Sequence, residues 1–316
     1  MSLKESTVAA VSTPRQGRRR VRARSTPLVF LAPALALFAV FLVVPICYTL
    51  WLSLRASRVD STGFGVRTEK FVGFDNYVSA VSDSAYLHSV LRLLGYGFLV
   101  VPIMLGFALL FALLLDSPVI RFGRFSRIAI FLPYAVPGVI ATLLWGFIYL
   151  PGVSPIREAA DTLGLPVPSF LGPHSVLYSV VNIAVWGGIG FNMIIIYTSL
   201  RGLPAELQEA ARIDGCNELQ IAWRIKVPLV LPAVIMTAIF SLISTLQVFN
   251  EPQTLVPLTS AISSTWVPLM TIYRDAFVNN DVYTAAAASV VLAAATLVLS
   301  LAVLGTLQRR AFGEDR

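Results

Sequence analysis

Charged side chains are scarce in this chain. Asp, Glu, Lys and Arg make up 13% of its 316 residues, about half the share of a soluble globular domain. Histidine is scarcer still: there are 2, His88 and His174, and neither has metal-ligand spacing to another histidine or to a cysteine. The 2 cysteines, Cys47 and Cys216, are too few for a disulfide framework. The lysines are Lys4, Lys70 and Lys226, and none follows a glycine. The Gly-Lys-Ser/Thr loop that cradles nucleotide phosphates is therefore missing. Together these shortages argue against metal chemistry and against ATP binding by that loop. No pairing of a nucleophile with a base supports an intramembrane enzyme.

What the chain has is apolar length. Apolar residues make up 56% of it, and its mean hydropathy is +0.76. They fall in six runs, each long enough to cross about 30 Å of hydrocarbon. The pattern predicts an all-α, polytopic membrane protein with spans near Leu28–Leu54, Ser89–Leu115, Arg127–Leu150, Ser175–Leu200, Pro228–Asn250 and Thr284–Leu307. The first run is too long for a signal-peptide core and five more follow, so it reads as a retained helix. Residues 1–27 read as a disordered basic tail, 28–310 as the transmembrane domain and 311–316 as a second tail.

Orientation follows from the basic residues. Six spans put both termini on one side, and 17 of the 24 lysines and arginines fall there. That side is cytoplasmic by the positive-inside rule. The arginine-rich start is thereby explained as an anchor, and no nucleic-acid partner is expected. Cys47 and Cys216 fall near opposite faces, so no disulfide between them is expected. All 17 acidic residues fall in loops or tails on this topology, and Arg92 and Arg127 lie only at span ends. A proton-driven carrier needs intramembrane charges, so this disfavours one. Sodium coupling through carbonyls alone stays open.

The hydrophilic stretch between the fourth and fifth runs holds a helix, a glycine break and a second helix. Pro204 suits the first turn of the first helix, and Glu206 and Glu209 favour its dipole. Leu207, Ala210, Ala211 and Asp214 recur at three- and four-residue spacings, a narrow face of small residues. Gly215 suits a left-handed helix end. Asn217 and Gln220 form a capping-box pair for the second helix. Read alone, the stretch is an amphipathic connector on the membrane surface or a docking device for a soluble partner.

Glu209-Ala210-Ala211, then Gly215, then Ile225-Lys226-Val227-Pro228 resembles the signature loop of permease subunits of bacterial ATP-binding-cassette importers. Val227 stands where leucine is usual. Phe131 to Pro137, Trp186 to Met193, Gly73-Phe74-Asp75-Asn76-Tyr77, Ala276-Phe277 and Ala285-Ala286-Ala287 extend the resemblance over roughly residues 30–310. They point to the carbohydrate-uptake branch, the maltose- and glycerol-phosphate-type permeases. One departure is Val256-Pro257-Leu258-Thr259-Ser260, where a Gly-Gly-Pro outer loop is usual.

The resemblance implies a type I importer permease fold in a bacterial cytoplasmic membrane. It implies a heterodimer with a second related permease, two ATPase subunits that bind ATP and magnesium, and an extracytoplasmic solute-binding protein. The loop 201–228 would be the coupling element, with Glu209, Ala210, Ala211, Asp214 and Gly215 meeting one ATPase. This chain itself would hold no cofactor.

A transport path needs polar groups that face the bundle interior. The candidates are Asn192 in the fourth span and Ser241, Ser244, Thr245, Gln247 and Asn250 in the fifth. Ser241, Ser244 and Thr245 can share one face. Hydroxyls and amides suit sugars because each can donate and accept hydrogen bonds. Tyr134, Trp145 and Trp186 could stack on a sugar ring. The plain alternative is that these Ser and Thr side chains bond their own backbone and the Trp rings mark the interface. Glycines 187, 188 and 190 suit close helix packing. Only Arg92 lies near the outer mouth, so a neutral sugar or oligosaccharide is preferred to glycerol-3-phosphate or a glycerophosphodiester. The competing class is an ion-coupled secondary carrier, which has no use for the docking loop.

Overall fold

The computed structural model describes residues 26–59, 67–117, 122–167 and 169–312. Residues 1–25 and 313–316, which hold most of the two expected tails, lie outside the described residues. The chain divides into two units, Met1–Tyr48 and Thr49–Arg316.

The first unit holds α1 (Thr26–Phe38), which runs through a π turn at Ala39–Val43 into α2 (Val44–Ser53). This is the first expected span, apolar over Phe30–Ser53.

The second unit begins with the last residues of α2 and a hairpin of β1 (Arg55–Val59) and β2 (Arg67–Phe71), paired antiparallel with Arg55 opposite Phe71. Gly73 follows at φ +60, and then α3 (Asp75–Ser82). The Gly73–Tyr77 motif fixes this corner. Asn76 Nδ2 donates to the carbonyls of Ser53 at 2.9 Å and Arg55 at 2.6 Å, and the hydroxyls of Ser53 and Tyr77 meet at 2.7 Å. Each buried polar group is thus paired.

Next comes α4 (Ser84–Asp116), capped by the Asp83 side chain on the Ala85 N–H at 2.9 Å. Its 33 residues extend about 50 Å at 1.5 Å per residue, more than the hydrocarbon needs.

The third span departs from expectation. The run Arg127–Leu150 is two helices, α5 (Gly123–Ala135) and α6 (Gly138–Tyr149), bent by 97° at their junction. Val136 precedes Pro137 and is driven extended, at φ −77 and ψ 127, because the proline ring excludes the helical conformation there. Pro137 itself sits at φ −54 and ψ 132. Each half is about 20 Å long, so neither crosses the hydrocarbon alone.

After α7 (Pro155–Thr162) comes α8 (Val176–Arg201), the best-buried span. Its close approach to α5 rests on Gly190, where a Cβ would lie 2.5 Å from the Ile130 carbonyl oxygen. The loop helices are α9 (Ala205–Ile213) and α10 (Glu218–Ile221), and a π turn at Ala222–Lys226 joins α10 to α11 (Val227–Leu246). That turn accommodates Pro228, which has no N–H to give and would crowd a regular helix.

The fifth span ends at Leu246, four residues before the expected Asn250. Beyond it, residues 251–283 do not form a plain outer loop. They fold inward as α12 (Asn250–Leu255), a 3-10 turn and α13 (Pro268–Tyr273), before α14 (Val282–Phe312) closes the chain. Leu255, Val267 and Met270 are fully buried. They join Tyr96 and Val100 of α4 and Val180 of α8 in one apolar core. Helix α12 packs on α6, where a Cβ at Gly146 would lie 2.7 Å from Leu258 and 3.2 Å from Leu255. Among the described residues, five helices are long and apolar enough to span a membrane, and the bent pair makes a sixth.

Candidate functional site

Two places carry the chemistry: the loop between α8 and α11, and a cavity of about 460 Å³ among α4, α5, α6, α8, α11 and α12.

In the loop, Pro204 caps α9 at φ −57 and ψ 133 rather than sitting in its first turn. Glu209 and Ala210 are exposed, whereas Ala211 is buried and holds the helix against its own chain. Asp214 ends the helix. Gly215 takes φ +82, its N–H reaches the Arg212 carbonyl at 3.1 Å, and the Cys216 N–H reaches that of Ala211 at 2.9 Å. This left-handed ending favours a residue without Cβ. The capping box is present: Gln220 N–H donates to Asn217 Oδ1 at 2.8 Å, and Asn217 N–H donates to Gln220 Oε1 at 2.9 Å. Arg212 pairs with Glu218 at 2.9 Å, bridging the two helices across the glycine. Their hydrogen bond holds the Glu218 carboxyl below its ordinary range and raises the Arg212 guanidinium.

The second helix is not a separate piece lying on the membrane. It runs unbroken from Glu218 to Leu246, so the loop and the cavity share one rigid element. Where it leaves the loop, Lys226 is buried and donates to Asp116 at 2.7 Å. Arg201, at the end of α8, lies 3.9 Å from the same carboxylate.

All seven path candidates, Tyr134, Asn192, Ser241, Ser244, Thr245, Gln247 and Asn250, line the cavity. They are not equivalent. Asn192 donates to the Gly188 carbonyl at 2.9 Å and to Met104 Sδ at 3.1 Å, and accepts from the Ser241 hydroxyl at 3.2 Å. Thr245 donates to the Ser241 carbonyl at 2.6 Å. These three side chains are buried and spend their hydrogen bonds inside the protein. Ser244, Gln247 and Asn250 are exposed to the cavity. Tyr134 is half exposed and stacks on Phe191 at 5.0 Å. Gly187 lines the cavity with open space at its Cβ position, while Gly188 faces Met104.

Three readings of the sequence are corrected. Trp145 and Trp186 are not in the lining; they pack edge to face on each other at 5.8 Å. Arg92 is also outside the lining, held by the Trp266 carbonyl at 2.8 Å and the Trp266 ring. Glu251, expected in an outer loop, does line the cavity, carried inward by α12. Its signal in the sequence was its place one residue beyond Asn250, masked by a span boundary drawn too late. His88 and His174 are exposed, and no group of His, Cys, Asp and Glu among the described residues could hold a metal ion.

A bundle with a broken third span, a capped loop and a central polar cavity defines a membrane transport subunit. The sequence matches the family described as "Binding-protein-dependent transport system inner membrane component" over residues 77–313. The chain belongs to that family and is the permease component of such a system. It is 30% identical over 284 residues to the sn-glycerol-3-phosphate transport system permease protein UgpA of Escherichia coli O157:H7, covering 89% of this chain and 93% of that one. The fold matches a bacterial ABC transporter involved in the import of the acidic polysaccharide alginate, with TM-score 0.77, 21% identity and 90% of this chain and 96% of that chain covered. It also matches a bacterial alginate ABC transporter in complex with alginate pentasaccharide-bound periplasmic protein, with TM-score 0.77, 19% identity and coverage of 90% and 94%.

Proposed function

We propose that this chain is one of two permeases in an ATP-driven importer that carries an uncharged sugar or oligosaccharide into a bacterial cell. The observation that carries the coupling is the continuous helix from Glu218 to Leu246. It joins the loop to Ser241, Ser244 and Thr245, so a push at one end moves the cavity wall at the other.

In this reading both termini and the 201–228 loop face the cytoplasm, as the basic residues dictate. Glu209, Ala210, Asp214 and Gly215 present the docking surface to one of two ATPase subunits, which bind ATP and magnesium. Ala211 anchors that helix from behind. This chain holds no cofactor and catalyses no reaction. A solute-binding protein delivers substrate from outside, as the relative solved with a periplasmic protein suggests. Ser244, Gln247 and Asn250 meet sugar hydroxyls, Tyr134 offers a ring face, and Asn192, Ser241 and Thr245 hold the wall in shape.

A second reading rests on the relatives named for sn-glycerol-3-phosphate. The same architecture would then carry that phosphate or its diesters. The lining weighs against it, because no basic side chain among the described residues lines the cavity.

The test is uptake into vesicles carrying this chain with its partner permease, ATPase and binding protein. ATP-dependent uptake of a neutral sugar, unaffected by ionophores, is expected. Uptake that survives ATP depletion and collapses with an ionophore would indicate a secondary carrier instead.

A further inference from the structure

Among the described residues, Glu251 is the one charged side chain in the cavity lining. It stands half buried in the first turn of α12, next to Asn250 and within electrostatic reach of Tyr96. Apart from its own backbone N–H, its carboxylate has no hydrogen-bond or ion-pair partner among the described residues. A half-buried carboxylate is costly to keep without a counter-ion. Among the described residues, the acid whose side chain is 4% exposed is paired: Asp116 holds Lys226 at 2.7 Å. Arg92, the basic residue that the sequence placed near the outer mouth, is committed to Trp266.

The polar groups nearest Glu251 along the chain share this condition. The side chains of Ser244, Gln247 and Asn250 face the cavity and make no hydrogen bond among the described residues, unlike Asn192, Ser241 and Thr245, which are satisfied inside the protein. The end of α11 and the first turn of α12 thus present a hydroxyl, two amides and a carboxylate, all open. Such an arc suits a solute rich in hydroxyl donors. An ionised acceptor takes a hydroxyl proton in a shorter and stronger hydrogen bond than a neutral one. The same charge repels a phosphate or carboxylate, and the repulsion grows where protein rather than water surrounds the pair.

We infer that Glu251 is a specificity-determining residue of the transport path: its carboxylate accepts hydrogen bonds from the hydroxyls of an uncharged glycoside and excludes anionic solutes. This rests on the sugar-importer reading and adds to it that this chain discriminates against the anionic solutes named for its relatives.

The test uses the complete importer reconstituted in vesicles with its binding protein. Radiolabelled neutral mono-, di- and trisaccharides, sn-glycerol-3-phosphate and a uronate oligosaccharide are the probes. The unaltered importer is expected to take up a neutral glycoside and neither anion. E251Q is expected to lower that uptake about tenfold while ATP hydrolysis stimulated by the binding protein stays within twofold, and E251D to restore part of the uptake. Retained ATP hydrolysis and subunit stoichiometry separate this from a misfolded cavity. Neutral uptake unchanged in E251Q, or lost together with ATP hydrolysis in both variants, would overturn the role of Glu251 and leave the sugar importer standing. Uptake of an anion at the rate of the neutral glycosides would overturn the exclusion. Absence of ATP-driven uptake of every probe would overturn the sugar reading and this inference with it.

Discussion

Lys226 and Asp116 meet at 2.7 Å with side chains only 5% and 4% exposed. One belongs to the turn that joins α10 to α11, the other is the last residue of α4. A buried pair of this kind fixes geometry more than it adds stability. Here it ties the start of α11 to the end of α4, the longest span. Removing one partner strands a buried charge, so K226M or D116L alone is expected to destabilise the subunit by about 3–5 kcal/mol. The double substitution, with two apolar side chains, is expected to regain most of that. Thermal unfolding of the purified importer, with all three variants compared, checks this; equal melting temperatures would remove the pair from the account.

Gly215 makes a sharper prediction about coupling. Its φ of +82 is closed to proline, whose ring fixes φ near −65°, and G215P also removes the N–H that reaches Arg212. The variant is expected to insert and assemble yet lose transport. Membrane-fraction blots together with uptake decide it, and normal uptake would count against the docking role of the loop.

Two glycines of α8 should respond oppositely. A methyl group at Gly190 would fall 2.5 Å from the Ile130 carbonyl oxygen and 2.7 Å from the Phe131 Cα, both backbone atoms that cannot step aside. G190A is therefore expected to lower stability by about 1–3 kcal/mol, the usual range for overpacking. Gly187 has open space, and G187A is expected to fold normally. Comparing melting temperatures of the two purified variants tests the assignment.

The Arg212–Glu218 bridge gives a pH dependence. Its folded Glu218 carboxyl is held below the ordinary value of 4.5, so its contribution is present above that value and is lost as pH falls through the lowered one. Amide exchange around Asp214–Asn217 is expected to be faster in E218Q than in the unaltered protein at pH 7. The difference should vanish once acid protonates Glu218. Both partners are exposed, so the effect should also shrink in high salt.

The cavity wall divides into side chains open to the cavity and side chains bonded within the protein. Q247A and N250A are expected to reduce sugar uptake several-fold with the complex intact, because those side chains have no hydrogen-bond partner among the described residues to lose. N192A breaks bonds to Gly188 and Ser241 and is expected to lower yield and melting temperature first. Uptake and unfolding measured on the same preparations separate the two groups.

Much of this protein is legible in its sequence because the determinants are local. Apolar runs of spanning length fix the helices, since a bilayer admits little else. Asn217 with Gln220, and Gly215 after Ala211, announce a capped pair of loop helices through contacts three to five residues apart. The seven candidates that line the cavity stand out in the sequence because polar residues in apolar runs are few. Tertiary structure decided what depends on distance. Pro137 breaks the third span locally, but how its second half sits, bent by 97° and packed on α8 and α12, depends on contacts from distant helices. The pairing of Lys226 with Asp116 spans 110 residues, and no periodicity encodes it. The sequence placed Glu251 outside the membrane because a charge after an apolar run reads as its end. Packing of Leu255 and Leu258 against Gly146 turned α12 inward and put the carboxylate in the cavity, a burial that only contacts from a distant helix could impose.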